Sequence, residues 1–89
     1  MYIIQCGDSE YYKIGIAENT LERLAGLQTG CPYKLHLILT CGFTSRSAAR
    51  TAEAQTHRSL DYHLVRGEWF ELPTKRLNEL KQNMVICGV

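Results

Sequence analysis

Two stretches of this chain carry the side chains most suited to chemistry. Glu53 and His57 stand four residues apart in "EAQTH", and "EWFEL" begins eleven residues after that histidine. On a helix, residues four apart share one face at about 6 Å along the axis. A carboxylate is a hard ligand suited to Mg²⁺ or Mn²⁺. Imidazole is an intermediate ligand, or a proton carrier near neutral pH. The plain alternative is a solvated pair on a surface helix. Against it, Glu53 follows Ala49 and so borders the small-residue stripe of its helix. "GEWF" also returns soon afterwards and brings aromatics that can pack beside His57.

The first third of the chain offers a second group: Tyr2, Lys13, Gly15 and Arg23. Tyr2, Lys13 and Gly15 fall on two neighbouring strands, where side chains can share one face. Gly15 permits a close approach to the backbone. Arg23, on the polar side of the helix that follows, is suited to holding an anion through two parallel hydrogen bonds. Taken singly, each has an ordinary explanation as a strand aromatic or a solvated cation.

The elements that must position these residues follow from pattern. "YIIQ" and "YYKIGIA" read as strands joined by the turn residues of "CGDSE". Residues 18–30 read as a helix, with Asn19 as cap, Glu22 three residues on, and Gly30 and Pro32 as the stop. Leu21, Leu24, Ala25 and Gln28 are its expected stripe. Residues 34–43 read as a third strand with Leu35, Leu37 and Leu39 on one face. Residues 45–63 read as a second helix capped by Ser45. Residues 67–72 are an extended piece, and residues 73–86 are a last helix opening on proline. The expected architecture is α+β: a small three-stranded antiparallel sheet flanked by helices, in the order β-β-α-β-α-extended-α.

Bulk properties narrow the function. The chain has 89 residues, 45% hydrophobic and 21% charged, which suits a single globular domain over residues 1–89. No apolar run reaches the roughly 20 residues of a spanning helix, and no signal-peptide pattern opens the chain. A cytoplasmic location without membrane contact is expected. Cys6, Cys31, Cys41 and Cys87 lack metal-site spacing and read as reduced, buried or half-buried thiols. A net charge of +1 excludes coating of nucleic acid by bulk charge, but not a local phosphate-binding patch.

The ordered set "Y-I-I", "Y-K-I-G", Asn19, "L-E-R-L", Glu53 with His57, and "G-E-W-F" resembles the GIY-YIG nuclease superfamily. It is most similar to the short phage and prophage branch named after a meiotically up-regulated fungal protein. The resemblance runs from Tyr2 to about Leu72. It implies a three-stranded sheet and metal-dependent hydrolysis of DNA phosphodiester bonds. It makes Tyr2, Lys13, Arg23, Glu53 and His57 the catalytic set, with Glu53 the single protein ligand of one Mg²⁺ or Mn²⁺. Arg23, Lys13, Asn19 and Arg50 are the expected nucleic-acid contacts. A free phenol, with a pKa of about 10, is a poor base, so a nearby Lys13 is expected to lower that of Tyr2. His57 could instead carry the proton. DNA is the expected partner. A chain of this length has no room for an attached specificity module, so a homodimer or a separate specificity-providing protein is expected as well. Two other readings stay open: a catalytically weak or inactive nucleic-acid-binding module, and an interaction protein using Trp69 and Phe70 as a contact patch.

Overall fold

The computed structural model describes residues 1–87, and the side chains through residue 84. The elements are β1 (Tyr2–Cys6), β2 (Tyr11–Gly15), α1 (Thr20–Thr29), β3 (Leu35–Thr40), α2 (Arg46–Ser59), a short 3₁₀ turn (Asp61–His63), β4 (Leu64–Arg66), β5 (Trp69–Glu71) and α3 (Thr74–Cys87). The strands form one sheet in the order β3-β1-β2-β5-β4, and every neighbouring pair is antiparallel. The α+β class stands, but the sheet has five strands and not three. No helix among the described residues is long and apolar enough to cross a membrane.

The two strands missing from the sequence reading have a physical reason for being silent. β4 is three residues long and exposed throughout, so it carries no alternation to detect. It is created by a tight turn. Arg66 pairs with Trp69 across the two-residue loop Gly67-Glu68, and Gly67 sits at φ +57. Glycine in the first central position, followed by a residue without positive φ, is the pattern of a type II′ hairpin turn. α2 likewise ends four residues short of the expected helix. It stops at Ser59, and the 3₁₀ turn then delivers the chain to β4.

Alternation along β1 and β2 divides the sheet into two faces. Met1, Ile3, Tyr12 and Ile14 join Leu60, Phe70, Leu72 and the α3 stripe Leu77, Leu80 and Met84 in the larger core. Tyr2, Ile4 and Leu35 form the smaller one, covered by Leu24 and Leu27 of α1. β3 departs from strict alternation. Ile3 pairs with Leu39 and Ile4 with Leu37, which leaves Ile38 as an extra residue at a bulge. The face reverses there. Leu35 and Leu37 pack on the smaller core, whereas Ile38 and Leu39 pack on the larger one.

α1 is capped as expected, with Asn19 Oδ1 accepting from the Glu22 amide at 3.0 Å. Its stripe is shifted. Leu24 and Leu27 pack inward, while Leu21 is 69% exposed. Gln28 ties the end of α1 to β3. Its Nε2 donates to the Tyr33 carbonyl at 2.9 Å, and its Oε1 accepts from the Leu35 amide at 2.7 Å. Cys6 and Cys31 are half-buried free thiols, and Cys41 is half-buried. Burial, then the neighbouring Cys31, pushes the Cys6 thiol above its ordinary range. The side chain of Cys87 lies outside the described residues.

Candidate active site

Antiparallel pairing brings the start of β1, the end of β2 and the start of β5 to one end of the sheet. Tyr2 pairs with Gly15, and Lys13 with Trp69. Tyr2, Lys13 and Gly15 therefore share a face, as their spacing predicts. Gly15 is where the next two groups meet. A Cβ built on it would lie 2.6 Å from the Tyr2 hydroxyl and 2.9 Å from a Glu68 carboxylate oxygen. The missing side chain is what leaves room for the phenol and the carboxylate together.

α2 supplies the opposite wall. Its inward stripe runs through Ala49, Ala52, Glu53, Thr56 and His57, all half-buried, to the buried Leu60. Small residues early in the stripe let the helix sit close to the sheet. Glu53, His57 and Glu68 each bring one possible ligand atom within 4.8 Å of the others. The His57 ring is fixed on two sides. Its Nε2 lies 2.7 Å from the Ile14 carbonyl oxygen, and its ring centroid lies 5.1 Å from that of Phe70. A carbonyl only accepts, so Nε2 is the donor in this contact and Nδ1 is the ring nitrogen left for other chemistry.

Glu68 is the residue that sequence reasoning left out of the site. Its position follows from the Gly67-Glu68 turn, and its carbonyl accepts from the Ile14 amide at 3.1 Å. The signal was present as a Gly-X dipeptide between "LVR" and "WFE", a hairpin signature. Lys13 Nζ is 3.2 Å from Glu68 Oε1, with only 14% of the lysine side chain exposed, and lies 5.6 Å from the Trp69 ring centroid.

The electrostatics correct one expectation. Burial, then the charge of Glu68, pushes the Tyr2 phenol above its ordinary pKa, and the cation that opposes this is Arg23. Lys13 is engaged with Glu68 instead, so Tyr2 is a neutral phenol at neutral pH. Burial likewise raises the Glu53 carboxyl, followed by its hydrogen bond to Glu68 and the charge of that group, with His57 opposing. Two carboxylates forced together resist joint ionisation. A divalent cation would remove that conflict, and two carboxylates suit a hard ion such as Mg²⁺ or Mn²⁺.

The expected contact residues are spread more widely. Arg23 is exposed on α1, and its charge reaches Tyr2. Asn19 caps α1. Both line a groove between α1 and the start of α2. Arg50 is exposed on α2 and is not among the groove's lining residues. The contact patch imagined for Trp69 and Phe70 is not available. Phe70 is 1% exposed within the larger core, and Trp69 is half-buried.

An antiparallel sheet with helices on both faces, and a carboxylate–imidazole–phenol cluster at one end, defines a small α+β domain. The chain belongs to the T5orf172 domain family, which matches residues 1–85. This is a phage-associated, nuclease-like domain family. The assignment corrects the GIY-YIG resemblance. Short motifs in a β-β-α-β-α order fix which polar residues face which element, and they do not by themselves fix family membership. No curated protein and no solved structure matches the chain.

Proposed function

We propose that this domain is a divalent-metal-dependent endonuclease that hydrolyses DNA phosphodiester bonds. One observation carries the reading: Glu53, His57 and Glu68 converge within 4.8 Å of one another, next to the Tyr2 hydroxyl in the space that Gly15 leaves open. Glu53 and Glu68 would hold Mg²⁺ or Mn²⁺, whose contribution when bound is to polarise the phosphate and stabilise negative charge. Arg23 binds the non-bridging oxygens and neutralises charge as it develops there. His57, oriented through Nε2 by the Ile14 carbonyl, accepts a proton from water at Nδ1. The water oxygen bonds to phosphorus, the bond to the leaving oxygen breaks, and that oxygen takes up the proton that His57 accepted, directly or through solvent. Tyr2, kept protonated by burial, is a hydrogen-bond donor for the phosphate or the leaving oxygen. Lys13 positions Glu68 through their ion pair.

The test is nicking of supercoiled plasmid with Mg²⁺ or Mn²⁺. Glu53→Gln and Glu68→Gln are expected to lower the rate at least 100-fold while circular dichroism stays native. Full activity in both variants would remove the cluster from the mechanism. The ion pair of Lys13 with Glu68 favours one other reading, because it already occupies a carboxylate that the metal would use. If neither metal supports cleavage and DNA binding is salt-dependent, the domain is a nucleic-acid-binding module.

A further inference from the structure

Beside the cluster lies a groove of about 960 Å³ between α1 and the beginning of α2. That is the upper end of the range for small-ligand sites, roughly 300–1,000 Å³, and it exceeds what a single phosphate needs. It meets the cluster at Arg23, which lines the groove and whose charge acts on Tyr2. Met1 and Ile16 line it and are the neighbours of Tyr2 and Gly15, and Ala49 lies one helical turn before Glu53. Its apolar lining includes Phe43, which is half-buried. Its polar lining carries Arg23, for which no ion pair occurs among the described residues, and Arg46.

Arg46 is held by the groove's own carboxylate. Its Nη1 lies 3.1 Å from Glu18 Oε1, and both side chains are mostly exposed, at 64% and 86%. An exposed pair of this kind is worth little, about 0–1 kcal/mol, so a phosphate can replace the carboxylate at small cost. The remaining acid, Glu22, stands on the first turn of α1 and disfavours a second anion there. The groove thus offers an aromatic ring, two guanidinium groups, and a carboxylate in the place a phosphate could take. A paired base keeps its faces stacked inside the duplex, whereas an unpaired base exposes a face that can lie on an aromatic ring.

We propose that the groove seats an unpaired nucleotide of a DNA strand next to the scissile phosphate, with Phe43 as its stacking surface and Arg46 releasing Glu18 to bind its phosphate. The substrate class is then single-stranded DNA, or a duplex carrying an unpaired segment. This rests on the reading of the cluster as a phosphodiesterase centre, but its test does not need cleavage.

The experiment is fluorescence anisotropy of the full chain in EDTA, with a labelled ten-nucleotide oligothymidine and a blunt duplex of equal length. The single strand is expected to bind at least 10-fold more tightly than the duplex. Glu18→Gln is expected to tighten the single strand about 3-fold, because the competing charge is gone. Arg46→Ala is expected to weaken it 5- to 10-fold and to lower the salt slope by about 0.7. Phe43→Leu, which keeps the apolar contact, is expected to weaken it at least 3-fold. Equal or tighter duplex binding, no binding of either probe, or unchanged affinity in Glu18→Gln and Arg46→Ala with native circular dichroism would overturn the proposal. If these binding results hold and neither plasmid nor a single-stranded oligonucleotide is cut with Mg²⁺ or Mn²⁺, the catalytic reading fails and the groove stands.

Discussion

At the scale of single residues, the site is governed by how closely its carboxylates are held. The folded-state pKa of Glu53 is raised above its ordinary 4.5, so the folded protein binds more protons than the unfolded chain in the window above that value. By linkage, stability is fully present below about 4.5 and falls as pH rises through the raised pKa. Urea midpoints in metal-free buffer are therefore expected to decline from pH 4.5 towards neutrality, and Glu53→Gln is expected to flatten that decline. Added Mn²⁺ should restore the midpoint at pH 7.5 in wild type and not in the variant. A midpoint independent of pH in wild type would contradict the crowding of Glu53 and Glu68. Gly15 gives a second test. Alanine there places a carbon within 3 Å of both Tyr2 and Glu68, so Gly15→Ala should abolish nicking even under conditions where the protein remains folded. Tyr2, Lys13, Glu53 and His57 were legible in the sequence because strand alternation and helical spacing decide which face a residue takes. The ionisation of Tyr2 was not legible, because it depends first on burial and then on the charge of Glu68, which only the fold brings to it.

At the scale of elements, the site depends on a turn and on a side-chain tie that composition barely announces. Gly67 sits at φ +57, where an L side chain costs roughly 1–2 kcal/mol. Nothing lies within 4 Å of a Cβ placed there, so the cost is conformational and not steric. Gly67→Ala should lower stability by about that amount and lower activity further, because the same turn carries Glu68. Thermal melts and nicking rates on one preparation would separate the two effects. Gln28 is the other tie. Removing a group that satisfies a half-buried amide costs about 1–3 kcal/mol, so Gln28→Ala should destabilise by that much through β3, with little change in the nicking rate per folded molecule. The pairing of β1 with β2 was readable because turn residues sit between two β-branched runs. The bulge at Ile38 was not, because one extra residue in a run of apolar side chains leaves the composition unchanged while reversing the face. β4 was unreadable for the complementary reason: an exposed three-residue strand has no buried side to mark it.

At the scale of the whole molecule, the proposed activity gives one cluster to one strand. The described chain measures 34 × 28 × 20 Å, about one turn of duplex in its longest direction. Within it, Glu53, His57 and Glu68 form the only group of metal-capable side chains among the described residues. The two backbones of a duplex run on opposite sides of each groove, so a monomer cannot hold both scissile phosphates at one cluster. Under the proposed activity, supercoiled plasmid should first become relaxed circles, and linear product should lag until independent nicks fall close together. A dimer with two clusters predicts a different course, with linear product from the start and a rate that rises with the square of protein concentration at low dose. Gel time courses over a 100-fold range of protein concentration separate these outcomes. A linear dependence on concentration with relaxed circles accumulating is the result the single cluster requires, whereas immediate linearisation would show that the working unit brings two copies to one site.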